Sequence, residues 1–389
     1  MTERLYYTDP TLGHFEATVT DVATADGRHV VRLDRTAFYP TSGGQPFDVG
    51  TLGDSRVIEV VDEEDGDVLH VVEGALSPGD RITGRIDWTR RFDHMQQHTG
   101  QHVLSAAFDA LLEARTESFH LGADYATIDL GRELSVAEIA RAEDDANRIV
   151  WEDRPVSIQF VDAAAAAAMP LRKAPARTGM LRLIDVQGYD LSACGGTHVA
   201  RTGAIGVIAV TGWERFKGGM RVGFVCGARA LRAHRRLRDV VADGARLLST
   251  MQDELPAGIE RLQTDAKEAK RQIKDLQLKL AGHEAARLAA SAEAGTVVAA
   301  LEGWDQAALK GIASAVAARP GHLAALLGTP APTAVVIARS SDRTTDCAAV
   351  LRQLTGRFGG KGGGRPEMAQ GGGLEGDPQA IVGYLRSLL

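Results

Sequence analysis

The sequence predicts an α+β chain built in four parts: an N-terminal small β-barrel, an α+β metal-binding domain, a helical hairpin and a small α/β C-terminal domain. Three observations predict it. Short apolar runs broken by Gly and Asp fill the first 87 residues, and a helical period begins near Thr89. Long helix formers then take over from Arg229 before strand–helix alternation returns after Gly295.

The first part, residues 1–88, is read from β-like runs such as 17–20, 29–33 and 68–72, which favour a barrel or a sandwich. In the second part, residues 89–228, Met95, Thr99, Val103, Ala106 and Leu111 recur at helical spacing. A strand follows at 126–130, then a helix from Val136 to about Trp151 and a short one across the alanines of 163–168. Further strands are expected at 156–161, 181–186 and 205–210. The third part, residues 229–292, carries two apolar seams. One runs through Leu237, Val241, Leu248, Met251 and Leu255. The other runs through Ile259, Leu262, Ala266, Ala269, Ile273, Leu276 and Leu280 with alternating steps of three and four. Helices joined at Pro256-Ala257-Gly258 would fold back on each other or pair with a second copy, and a solvated spacer is the other reading. The last part, residues 293–389, reads as strand (297–301), helix (306–318), strands (322–327 and 334–338), a Gly-rich loop and a final helix.

Composition excludes several classes. With 389 residues and 44% hydrophobic side chains, the chain builds an ordinary core and needs no metal or disulfide merely to hold a miniature fold. Its three cysteines, Cys194, Cys226 and Cys347, form no paired spacing and suit a reducing compartment, so a cytoplasmic location is expected. No signal peptide or membrane span is legible. The net charge of −7 gives no general attraction for nucleic acid, so any RNA contact depends on local basic patches.

Two pairs of metal-ligand residues stand out. His98 and His102 lie four apart on a predicted helix, so both imidazoles share a face. His94, one turn earlier, is a further ligand or a group supporting one. Cys194 and His198 are again four apart, across Gly195 and Gly196, which let the chain turn tightly. A mixed His/Cys set selects Zn2+ over Mg2+ or Ca2+. Four protein donors fill a tetrahedral shell, so either one is loose or the metal expands to five ligands. The bland alternative is a buried cysteine beside a glycine turn.

His98-Thr99-Gly100-Gln101-His102 with Cys194-Gly195-Gly196-Thr197-His198 resembles the paired signature of the alanyl-tRNA synthetase editing domain. Residues 33–46, ending Gly43-Gly44-Gln45-Pro46 with Asp48 and Gly50 beyond, look like that family's N-terminal segment. Residues 217–222 and 226–231 are similar to its closing strands, and 359–372 to the Gly-rich loop of the synthetase's C-terminal domain. The resemblance begins at residue 1, with no adenylate-forming core before it, and so points to a free-standing editing protein of the long form. It implies a zinc-dependent deacylase acting in trans on mischarged tRNA-Ala, chiefly seryl and also glycyl. In that role the metal activates water and polarises the ester carbonyl, or grips the α-amino group. Gln45, Thr41, Gly44 and Thr197 are the candidate catalytic and sensing residues, with Ser42 beside them, because sparing alanine while accepting serine needs a contact to the seryl hydroxyl. Asp93 and Asp190 are candidates to orient histidines. Arg215, Lys217, Arg221, Arg232, Arg235, Arg236, Lys361 and Arg365 are candidate RNA contacts, with a second patch at Arg172, Lys173 and Arg177. The rival readings are a tRNA-binding module with a structural zinc and a metal-dependent phosphoesterase, for which Asp93-His94 is the nearest Asp-His element.

Overall fold

The computed structural model describes residues 1–25, 27–63, 66–173, 179–329 and 333–389. By contact the chain divides into two units, Met1–Ala242 and Asp243–Leu389. Among the described residues, eight α-helices, four open sheets and one closed barrel form an α+β architecture.

In the first unit, strands His14–Ala25, Arg28–Leu33, Val68–Val72, Ser55–Asp62, Gly50–Leu52 and Arg81–Ile86 close a six-stranded barrel in that order. The long strand His14–Ala25 pairs with both Arg28–Leu33 and Arg81–Ile86, which is what closes the sheet. Phe15, Val19, Val31, Leu33, Phe38 and Leu52 fill its interior, so a barrel rather than a sandwich satisfies the alternating strands.

The chain leaves the barrel through helix α1 (Trp88–Leu112). Asp87 caps it by accepting from the Arg90 N–H, and Glu113 closes it in the left-handed region at φ 52°. Helix α2 (Val136–Trp151) starts from a capping box formed by Ser135 and Glu138. Helix α3 (Ala163–Ala167) uses the alanine run. Two sheets surround α1. One is four-stranded, ordered Ile208–Phe216, Gly219–Cys226, Ala126–Leu130, Thr116–Leu121. The other is three-stranded, ordered Val156–Asp162, Met180–Val186, Asp190–Ala193. Val103, Leu104, Phe108, Ile128, Ile149 and Phe224 form their common core.

A buried ion pair ties α1 to the barrel loops. Arg91 is fully buried and reaches both carboxylate oxygens of Asp48, while its Nη atoms donate to the carbonyls of Pro10 and Ala37. Its partner Asp48 in turn accepts from the Tyr39 N–H at 2.7 Å. This one side chain sets the register between the segment carrying Gln45 and the helix carrying His98.

Helix α4 (Ala228–Leu247) ends before Leu248 and Met251, and α5 (Leu255–Ala290) begins before Pro256. Pro256-Ala257-Gly258 therefore lies in the first turn of α5 and not at the joint, because proline's missing N–H costs nothing there. In the second unit, strands Thr296–Glu302, Leu323–Thr329, Thr333–Arg339, Met368–Leu374 and Lys361–Arg365 form one sheet in that order, with only the first pair parallel. The end of α5 and α6 (Gln306–Ala317) cover one face. Helices α7 (Cys347–Phe358) and α8 (Pro378–Leu388) cover the other. The Gly-rich run expected as a loop is a hairpin of two strands. Leu351 of α7 packs directly on Gly362 and Gly371, where side chains would leave it no room.

Candidate metal centre

His98 and His102 point from consecutive turns of α1, and Cys194 and His198 come from the loop after strand Asp190–Ala193. The four residues bring one donor atom each to within 4.8 Å of one another, the one such group among the described residues. Cys194 Sγ lies 3.4 Å from His98 Nε2 and 3.3 Å from His198 Nε2. Nitrogen and sulfur ligands of a tetrahedral zinc stand about 3.6 Å apart, so the spacing fits that ion. His94, a turn earlier, lies outside the group.

Each imidazole is held by its other nitrogen. Gln45 Nε2 donates to Thr197 Oγ1 at 2.8 Å, which turns its Oε1 to accept from Thr197 N–H at 3.1 Å and His98 Nδ1–H at 2.8 Å. The Asp190 carboxylate accepts from His102 Nδ1–H at 3.1 Å. Thr99 Oγ1 donates to the Met95 carbonyl, so it accepts from His198 Nδ1–H at 3.2 Å and from the Val199 N–H. All three tautomers are thereby set with Nε2 free for a metal. Burial alone would raise the Asp190 pKa, but His102 and Arg172 hold it at about 2. Burial likewise opposes ionisation of Cys194, yet the surrounding imidazoles, His98 first, bring its thiol well below the usual range. One cysteine sulfur and three imidazoles, each with Nε2 turned inward, is a donor set that suits zinc.

The loop's geometry depends on Gly196, where a Cβ would overlap the His98 ring. It also depends on Arg182, whose Nη1 donates to the carbonyls of Cys194 and Gly196 at 2.7 and 2.9 Å, and whose Nε donates to the Tyr7 carbonyl. Beside Cys194 opens a cavity of about 410 Å3 lined by Tyr7, Tyr39, Ser42, Gly43, Arg182 and Gly195.

The predicted catalytic residues separate here. Gln45 and Thr197 are buried and bonded to each other against His98. Thr41 is exposed, and its hydroxyl accepts from the Phe47 N–H. Gly44 sits at φ 85° with its carbonyl accepting from Leu121 N–H, and a Cβ there would stand 2.9 Å from the Phe119 carbonyl oxygen. Asp190 orients a histidine as expected of a supporting carboxylate, whereas Asp93 does not: Arg229 binds both its oxygens. That pair also removes Asp93-His94 as a phosphoesterase element. Arg182 carries no spacing signal because it is a lone polar residue in an apolar strand, while Thr99 and Arg91 sit among polar neighbours from which nothing in the sequence separates them.

Of the candidate RNA contacts, Arg215 is exposed 3.0 Å from Glu133, and Lys217 lies over the Phe216 ring. Arg221 is bound to both oxygens of Asp129 and stacks 3.7 Å over Phe216. Arg232 lies 3.7 Å from Asp93, Arg235 and Arg236 are exposed on α4, and Lys361 and Arg365 are exposed on a sheet edge. Arg172 is taken up by Asp190, and Arg177 lies outside the described residues. No helix among the described residues is long and apolar enough to cross a membrane.

A barrel joined to an α+β layer around a cluster of three histidines and one cysteine that could hold a metal defines the class of domain, and comparison with known proteins names its family. Residues 3–90 match the tRNA synthetases class II (A) family, 181–222 the threonyl and alanyl tRNA synthetase second additional domain, and 293–388 the DHHA1 domain. The chain is 31% identical to the alanyl-tRNA editing protein AlaX-L of Pyrococcus horikoshii, over 98% of this chain and 96% of that protein. It is 34% and 36% identical to alanine–tRNA ligases of Methanoregula boonei and Methanoculleus marisnigri, over 97% and 96% of this chain. It spans about two fifths of those ligases, 42% and 41% of their length. The chain belongs to the alanyl-tRNA editing proteins.

Proposed function

We propose that this protein deacylates mischarged tRNA-Ala in trans, seryl-tRNA-Ala first and glycyl-tRNA-Ala more slowly, with one zinc held by His98, His102, Cys194 and His198. The observation that carries this reading is the convergence of four donors whose three imidazoles are already set by Gln45, Asp190 and Thr99. Preset ligands bind a metal without reorganisation. A zinc ion at this place supplies Lewis-acid polarisation of the ester carbonyl.

The remaining work falls to the chain's own groups. Arg182 fixes the Cys194–Gly196 backbone beside the cavity, and Tyr7, Tyr39, Ser42 and Gly43 form the wall that an aminoacylated ribose would meet. Gln45 and Thr197 act on His98 and not as free sensors, since each already has a buried partner. The substrate hydroxyl is therefore read from the Thr41–Gly44 turn, whose Ser42 lines the cavity. Arg215, Lys217, Arg235, Arg236, Lys361 and Arg365 are the exposed cations offered to the tRNA backbone. The reading places the protein in the cytoplasm, where tRNA is charged. Pairing of two copies through the α5 seam, whose apolar side chains are exposed, would be registered by sedimentation.

The test is zinc content together with hydrolysis of Ser-, Gly- and Ala-tRNA-Ala. One zinc per chain, with the seryl ester cleaved and the alanyl ester spared, is expected. A His198→Ala variant should lose the metal and about a thousandfold in rate, the scale of several kcal/mol. Folded, zinc-free His198→Ala with full activity would sink the reading, and equal hydrolysis of all three esters would remove proofreading.

A further inference from the structure

A second cavity, of about 460 Å3, opens at the start of α1 among Trp88, Arg90, Phe92, His94, Gln96 and Arg232. The metal centre uses none of these residues. Three observations make it a binding site for something both aromatic and anionic. Trp88 is 41% exposed and stacks on Phe92, with ring centroids 6.1 Å apart and planes 25° apart, so Phe92 backs the indole while much of it stays accessible. Among the described residues Arg90 forms no ion pair; its Nε donates to the Phe47 carbonyl and its terminal nitrogens meet no carboxylate. Arg232 lies exposed 3.7 Å from an Asp93 whose charge Arg229 already neutralises. The Asp87 carboxylate caps the helix start and also lines the cavity, so the net positive charge there comes from Arg90, Arg229 and Arg232 set against Asp87 and Asp93.

The third observation is His94. It is 2% exposed, it lines the cavity, and its Nδ1 has no hydrogen-bond partner. Buried polar atoms are nearly always paired, and every other buried polar side chain of this helix's central stretch is: Gln97 to the Cys226 backbone, Gln101 to Ser105, Thr99 to Met95. Burial, followed by the charge of Arg90, keeps the His94 imidazole neutral, with a pKa of about 3. A neutral ring nitrogen suits a sugar hydroxyl or a base edge, and the arginines suit a phosphate.

We propose that this cavity receives a nucleotide of the bound RNA other than the esterified one, its base on the accessible part of the Trp88 ring, its phosphate between Arg90 and Arg232, and its sugar or base edge toward His94. Trp88 precedes His98 by ten residues, about 15 Å along the helix, so the site is a few nucleotides from the ester. The proposal rests on the editing reading for its RNA strand.

Two substrates separate the two claims. The KM for seryl-tRNA-Ala should rise about tenfold in Trp88→Ala and in Arg90→Gln relative to the KM for a seryl ester of adenosine, and Trp88→Phe should restore most of it, because stacking tolerates any aromatic face. If both KM values move together, or neither moves, the site is not a nucleotide seat. Should the wild-type protein cleave neither ester, the editing reading fails and binding decides the cavity alone. Deacylated tRNA should then quench a fluorescence component that Trp88→Phe lacks, and no such component overturns the proposal. Quenching by AMP with an unchanged KM ratio would assign the cavity to a free nucleotide and overturn the RNA seat.

Discussion

Helices α1 and α5 have opposite relations between hydropathy and burial. Of the 25 residues of α1, 17 are buried, among them Gln96, Gln97, His98, Thr99, Gln101 and His102. Of the 36 residues of α5, four are buried, all near its C-terminal end, while Ile259, Leu262, Ile273, Leu276 and Leu280 face solvent. An apolar seam with steps of three and four thus lies on the more exposed helix. Periodicity reports that a helix forms and which side is apolar. Whether that side is covered depends on what the rest of the chain packs against it. A helix that buries polar side chains needs a partner for each, and apart from His94 Nδ1 the central stretch of α1 finds them in the Gln45 segment, the Cys194 loop, the Cys226 strand and its own turns. That concentration of partnered polar groups marks the functional centre more sharply than any single motif.

The contrast breaks most readily at Arg91. Arg91→Leu leaves Asp48 charged and buried, and should cost about 3–5 kcal/mol in denaturant unfolding. Adding Asp48→Leu should recover part of the loss. Equal stability of Arg91→Leu and wild type would show that this pair does not hold α1 to the barrel. A smaller effect is expected one contact away from the proposed zinc site. Asp190→Asn keeps the shape but loses the charge facing His102, and should weaken zinc affinity or activity by about 10- to 100-fold. Unchanged zinc affinity measured by chelator competition, with an unchanged rate, would leave His102 oriented by the helix alone. The smallest effects belong to α5, where Ile273→Ser and Leu276→Ser should each shift stability by less than about 0.5 kcal/mol, as exposed positions do. A loss near 2 kcal/mol that grows with dilution would instead show that the seam is covered by a second copy.

Much of the site was legible before the fold. The spacing of His98 with His102, and of Cys194 with His198, marks the four residues that the fold brings together, and Asp190 is within reach as a supporting carboxylate. Thr41 and Gln45 were grouped as sensors because they are neighbours in sequence. The turn at Gly43-Gly44 sends Thr41 outward and Gln45 inward to His98. Arg182 gives no signal, since a single polar residue in an apolar stretch is indistinguishable from noise until its partners are known, and Thr99 lies inside the His98–His102 motif without a role of its own being legible. The Gly-rich run of 359–372 misled for a related reason. Glycine favours loops locally, but here the absence of side chains lets Leu351 lie against a strand pair.

By itself the sequence determined what is local: the barrel strands, the starts and periods of the helices, and the donors that lie four apart. These depend on backbone geometry and on neighbours a few residues away. Only the tertiary structure decided which imidazole nitrogen faces the other donor atoms, which seam is covered, where Arg91 finds its carboxylate, and that His94 stands next to a second cavity with its Nδ1 unpartnered. Each of those is a pairing across the fold, from the 43 residues between Arg91 and Asp48 to the 152 between Gln45 and Thr197. A polar group's meaning is set by the atom it meets, which the order of residues along the chain does not state.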